Sequence, residues 1–274
     1  MFGFKRRKRN RLLQEPIPGA WAVTIAEYVP LVREFAEADR RRLGGIVRVL
    51  LDEKRFEGCG GLEITEEIKV AIAAQAGLLV LNRPGNYYPG LRSILVYPAG
   101  YIARVEEADD GPLGLVTEDE EVRLGETWEE GSLVLSWSDV VRGGEEPHDG
   151  VNVVFHEFAH QLDDQSGGMD GAPGLADAAS SKAWARIFSV EYDRLVRRVE
   201  AGRPTLIDAY GATHPAEFFA VATEVFFEQP RAMRRLHADL YDQLAGFYHQ
   251  DPAERPGRKI DQPGDTPPNG EASA

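Results

Sequence analysis

The stretch VNVVFHEFAHQLDD, residues 151–164, constrains the fold more than any other part of this chain. It sets two of only six histidines four apart in an apolar run, with a glutamate beside the first. On a helix, residues four apart lie one turn apart on the same face. His156 and His160 can therefore each turn a ring nitrogen towards one tetrahedral zinc ion. Glu157 stands close enough to take a proton from a zinc-activated water without being a ligand itself. This HExxH arrangement is the two-histidine site of many metallopeptidases. The competing reading is packing, because Val153, Val154, Phe155, Phe158 and Ala159 would bury such a helix in any case. Two buried histidines would then each need a hydrogen-bond partner, which makes a purely structural role costly.

Two ligands do not complete a catalytic zinc site, which takes three from the protein and leaves one position for water. The extended pattern HExxHxxGxxH is not present, since Asp163 and Ser166 occupy its later positions. Glu217, 57 positions after His160, begins an apolar run and would be costly as an unpaired buried carboxylate. Glu224 lies two turns further on nearly the same face, as a ligand or as the group that steadies a ligand histidine. His214 is a third candidate. Cys59, in FEGCGG, could be paired with an HExxH helix in the way peptide deformylases do it, or be a reduced thiol in a turn.

The rest of the composition bounds the protein. At 274 residues with 43% hydrophobic content, the chain can bury a large core without disulfide staples. Its single cysteine cannot form an internal disulfide, which suits a reducing, cytoplasmic setting. The longest apolar run, VAIAAQAGLLVL at residues 70–81, is too short to span a bilayer, so no membrane partner is expected. Net charge is −14, and residues 104–149 hold fifteen acids against three arginines, a net −12 from that window. Direct nucleic-acid binding is therefore not expected of the body of the protein.

Along the chain, residues 1–20 read as a basic, solvated tail with Lys5, Arg6, Arg7, Lys8, Arg9 and Arg11. Residues 21–77 are helical by apolar spacing, with Thr65 as an N-cap and Gly77 as a stop. SILVYP (93–98) and SLVLSW (132–137) are short strands. Helices follow over about 150–164, from 181 to Gly202, from Pro215 to Pro230 and over about 231–249. Residues 251–274, with five prolines, read as disordered.

With these residues in view, the chain resembles the Mlc titration factor A family of zinc metallopeptidases. The resemblance runs over about residues 20–252. It rests on LDEKRFEGCGGLEIT, IAAQAGLLVL, YPGLRSILVYP, VLSW, NVVFHEFAHQLD, DAYGATHPAEFFAVATEVFFE and FYHQDP. It implies an α+β fold: a mainly helical, zincin-like domain over 21–250 with a small mixed sheet and an HExxH helix. Residues 21–145 would form its helical and sheet part and 146–250 its catalytic helical part. The catalytic domain of anthrax lethal factor, a gluzincin, is a further likeness of the family.

The resemblance makes His156, His160 and Glu217 the ligands of one zinc ion, Glu157 the general base, and Tyr210 a donor to the tetrahedral oxyanion. His214 stands where the family has a small polar residue. The activity implied is aminopeptidase-like hydrolysis of peptide bonds. The family is also named for sequestering Mlc, a transcriptional repressor of sugar-uptake genes. That implies a second kind of partner, for which the acidic window is a candidate surface.

Overall fold

A computed structural model describes residues 2–83, 85, 87–99 and 131–255. Most of the central acidic window and the proline-rich end beyond residue 255 lie outside these residues. The fold is mostly helical with one small sheet, an α+β arrangement.

Helix α1 (Phe2–Leu12) forms where the basic run reads as a tail. Its charges explain the difference, because they find acids on a distant helix, α3 (Glu37–Glu53). Lys8 lies 2.6 Å from Asp52, and Arg9 lies 2.7 Å from Glu53. The chain after α1 then crosses α3 at Gly44 and Gly45. A Cβ on Gly45 would meet the Leu13 backbone within 3 Å, so only glycine admits that crossing.

Helix α2 (Gly19–Tyr28) precedes α3, whose Leu43, Ile46, Val47 and Leu50 are buried. Helix α4 (Glu66–Leu79) starts at Thr65, whose hydroxyl accepts from the Ile68 amide at 3.2 Å. It does not stop at Gly77 but continues to Leu79, because its second half is buried on every side. A helix buried all round needs no amphipathic stripe, which is why this one reads as an apolar run.

The strands are β1 (Arg55–Gly58), β2 (Ser93–Tyr97) and β3 (Ser132–Ser136), in the order β1-β2-β3. Both pairings are parallel, with Arg55 opposite Ser93 and Ile94 opposite Leu133. Among the described residues the sheet is thus parallel rather than mixed. A parallel pair needs a long crossover, which α4 supplies between β1 and β2. Strand β1 interrupts the segment that reads as continuously helical. In β2 and β3 alternate residues, Ile94, Val96, Leu133 and Leu135, face the core.

Helix α5 (Trp137–Glu145) follows β3 directly. The second half is built from α6 (Val153–Asp163), α7 (Ala178–Glu200), α8 (Pro215–Glu228), α9 (Pro230–Leu236) and α10 (Ala238–Tyr248). The last two replace the single helix expected after Pro230, with a break at His237. Aromatic rings fill the space between them. Trp184 stacks on Phe188 at 3.9 Å, and Phe155 meets Phe227 at 5.3 Å, joining α6 to α8. Nearly all the buried apolar residues from Ile25 to Ala253 form one continuous cluster.

Candidate metal centre

Helices α6 and α8 pack side by side, and the site lies between them. Asn152 starts α6: its side-chain oxygen accepts from the Phe155 amide at 3.0 Å, the usual N-cap bond. Pro215 occupies the first turn of α8, where its missing N–H costs nothing. His214 is the N-cap of α8, its Nδ1 accepting from the Ala216 amide at 3.2 Å. That bond occupies His214 in local structure rather than in the donor cluster.

The histidine and carboxylate donors converge. His156 Nε2 lies 3.2 Å from His160 Nε2 and 3.0 Å from Glu217 Oε2. His160 Nε2 lies 3.4 Å from Glu217 Oε1. Among the described residues this is the one group of three or more His, Cys, Asp or Glu that could hold a metal ion, its donor atoms all within 4.8 Å of one another. The three side chains are between 12% and 21% exposed, enough for access from solvent. Cys59 is outside this group, in the turn after β1, where its amide donates to the Val96 carbonyl at 2.8 Å.

Whether a zinc ion fits can be judged from how the atoms face each other. Glu217 Oε2 is buried and close to a ring nitrogen, yet among the described residues it has no hydrogen-bond partner of acceptable geometry. One ligand atom from each of the three side chains lies within 4.8 Å of the others. The set is two imidazole nitrogens and one carboxylate, the borderline-soft combination that suits zinc. The residues fit the group.

Glu224 is the partner of His156 and lies outside the group of three. Its Oε1 lies 2.8 Å from His156 Nδ1, and its other oxygen accepts from the Asn152 amide. A neutral His156, as a metal ligand must be, would keep its proton on Nδ1 against Glu224 and turn its Nε2 lone pair to the cluster. One turn on, Glu228 accepts from the Gly150 amide at 3.1 Å and from Asn152 Nδ2 at 3.2 Å. Glu217, Glu224 and Glu228 thus form a ladder along one face of α8. The upper two rungs hold the chain that leads into α6.

Asn152 and Glu228 are absent from the sequence reading. The available signals were an asparagine at the N-cap of the HExxH helix and glutamates spaced by seven and four.

The electrostatics follow from this crowding. Burial works to lower the pKa of His156, but the Glu217 and Glu224 carboxylates outweigh it and raise it to about 10. Burial pushes Glu217 upward, yet His156 and His160 hold it well below the usual carboxylate range. Glu157 is pushed up by burial, with the two imidazoles opposing. A carboxyl shifted towards neutrality in this way is suited to exchanging protons.

Tyr210 lies in the turn Ala209–Ala212, before α8. Its ring centroid is 6.0 Å from that of His156, and the residue is 42% exposed. Asp163, at the end of α6, is fully buried and accepts from the Gly171 amide at 2.7 Å.

The α+β fold thus packs two helices so that three side chains able to hold a metal ion come together. A model of the family described as glucose-regulated metallo-peptidase M90 matches residues 4–249. The chain belongs to this metallopeptidase family. It is 39% identical over 246 residues to "Uncharacterized protein slr2042" of Synechocystis sp., covering 89% of each chain. It is 32% identical over 247 residues to proteins named Mlc titration factor A in Yersinia pestis and Yersinia pseudotuberculosis, covering 88% of each chain.

Proposed function

We propose that this protein is a zinc-dependent peptidase of the gluzincin type, with a zincin-like domain over residues 21–250. His156, His160 and Glu217 are its metal ligands. The convergence of those three donors, between 3.0 and 3.4 Å apart, is the observation that carries this reading.

Zinc bound there would supply a Lewis acid for the scissile carbonyl and lower the pKa of a water towards ~7. Glu157 removes the proton of the attacking water and delivers it to the leaving amine. Tyr210 donates its phenol hydrogen to the carbonyl oxygen as negative charge develops there, a large term in such reactions. Its exposure and its closeness to the His156 ring support that role. Among the described residues β3 is an edge strand, and a substrate backbone can pair with it.

The substrates are short peptides or chain N-termini, in an aminopeptidase-like reaction. No helix of the described residues is long and apolar enough to cross a membrane. The lone Cys59 suits a cytoplasmic setting.

The test is Glu157→Gln, which keeps the ligands and removes the proton carrier. Zinc content should stay as in the wild type while peptide hydrolysis falls by at least ~10²-fold. Unchanged hydrolysis, or purified wild type without zinc, would refute the reading.

A second reading rests on the name of the Yersinia relatives, Mlc titration factor A. Here the output is sequestration of an Mlc-like repressor, with or without hydrolysis. Glu157→Gln separates the two: an effect on the repressor that survives the change is binding, and one that disappears with hydrolysis is catalysis.

A further inference from the structure

The two imidazoles of the donor set are held in different ways. His156 Nδ1 has the Glu224 carboxylate behind it at 2.8 Å. His160 Nδ1 is just as buried, but among the described residues it meets no hydrogen-bond partner. Three residues along the same helix, Asp163 is 0% exposed. One of its oxygens accepts from the Gly171 amide, while the other, Oδ1, is buried and also lacks a partner among the described residues.

These two unpartnered atoms are complementary. An imidazole nitrogen can donate, and a carboxylate oxygen can only accept when ionised. Residues three apart on a helix are surface neighbours, with Cβ atoms roughly 5–6 Å apart. Burial pushes the Asp163 carboxyl up; the Gly171 amide pulls it back, and the His160 imidazole adds a smaller pull in the same direction. They make no direct hydrogen bond, yet each would be costly to leave unsatisfied. One ordered water can bridge a donor and an acceptor that do not meet directly.

We propose that Asp163 is the positioning residue for His160. His160 Nδ1–H donates to one buried water, and that water donates to Asp163 Oδ1. The proton is thereby kept on Nδ1, and the Nε2 lone pair of His160 is turned towards the metal. The inference rests on the metal-centre reading above and deepens it. Glu224 does directly for His156 what Asp163 does through water for His160.

The same carboxylate has a second tie that the test must separate from the first. Gly171 donates its amide to Asp163, and its carbonyl accepts from Trp184 Nε1 at 2.9 Å. A change at Asp163 could therefore act by loosening this loop alone. Asp163→Asn keeps an acceptor for the Gly171 amide but loses the second acceptor oxygen. Trp184→Phe loosens the Gly171 anchor without touching His160.

The experiment measures zinc affinity of the purified full-length chain by competition with a chromophoric chelator. Alongside it, ¹⁵N-histidine NMR of the zinc-loaded protein reads the tautomer and exchange rate of each imidazole. Asp163→Asn should weaken zinc binding about 10- to 100-fold, the usual cost of losing such a partner, and Trp184→Phe should leave it unchanged. In the wild type His160 should carry its proton on Nδ1, protected from exchange, and Asp163→Asn should abolish that protection.

Equal zinc affinity in wild type and Asp163→Asn overturns the proposal while leaving the metal centre intact. An equal loss in Trp184→Phe overturns it in favour of the loop. A wild-type His160 Nδ1–H that exchanges freely overturns it even if Asp163→Asn fails to fold. A wild type that binds no zinc removes the metal-centre reading, and this inference with it.

Discussion

Glu224→Gln is the substitution whose consequences the geometry fixes most closely. The native carboxylate serves two donors at once, His156 Nδ1–H through Oε1 and the Asn152 amide through Oε2. Glutamine has almost the same shape but only one acceptor oxygen. It can satisfy one donor, and its NH₂ then faces the other. Glu224 is 5% exposed, so water does not readily take the place of the lost bond.

A buried donor left without a partner costs about 1–3 kcal/mol. Part of this is returned, because burial raises the pKa of the native carboxyl and its ionised form is costly to bury. A net loss of about 1–2 kcal/mol in the metal-free protein is expected, a Tm drop of roughly 2–8 °C for a chain of this size. If the lost bond is the one to His156, zinc affinity also falls, by about 10-fold. Urea unfolding of the metal-free variant and chelator competition read the two effects separately. Unchanged stability together with unchanged zinc affinity would refute the claim that Glu224 holds the His156 ring.

Two further outcomes follow from the same helix pair. Burial, and then the charge of Asp149, push the Glu228 carboxyl up to about 9. An unfolded glutamate titrates near ~4.3, so between these values the native state holds a proton that the unfolded chain has released. Wild-type stability should therefore fall as pH rises through that window. Glu228→Gln, which cannot ionise, should flatten the fall in a pH series of urea midpoints; an unaltered slope contradicts the assignment.

Gly171 has a φ of +77°, and a Cβ there would run into the Pro215 carbonyl at the start of α8. Gly171→Ala should cost about 2 kcal/mol or more in thermal unfolding, since strain and clash add. A loss under ~0.5 kcal/mol would show that the contact relaxes freely.

The parts of the molecule that are legible in the sequence are those set by local chemistry. The HExxH helix announces itself through an apolar run of the right length, and α4 through Thr65 as its cap. Strands β2 and β3 are short β-branched runs bounded by turn residues, and Pro215 marks the first turn of α8. The pairing of His156 and His160 needs only helical geometry. Placing Glu217 with them needs the contact between two helices; a carboxylate heading an apolar run marks it as the leading candidate, and the family resemblance then selects it.

Other features were hidden because their causes are non-local. Helix α1 reads as a tail until its lysine and arginine meet Asp52 and Glu53 on α3. Strand β1 is a mostly exposed edge, RFEG, with too few apolar positions to show alternation. The direction of the strands depends on the crossover that joins them, not on their composition. The support behind the ligands was half visible. Glu224 lies two turns beyond Glu217, but Asn152 and Glu228 matter only once α6 and α8 are packed. His214 carries the residue type of a ligand or proton donor, and the structure uses it as a helix cap.

The central claim is that His156, His160 and Glu217 together hold one zinc ion. Elemental analysis of metal per chain, on purified wild type and Glu217→Ala prepared side by side under limiting zinc, tests it most directly. About one zinc per chain is expected in the wild type and strong depletion in the variant, because three protein ligands are needed for a tight site with one open position. Full zinc retention by Glu217→Ala, or a wild type free of zinc, would contradict it.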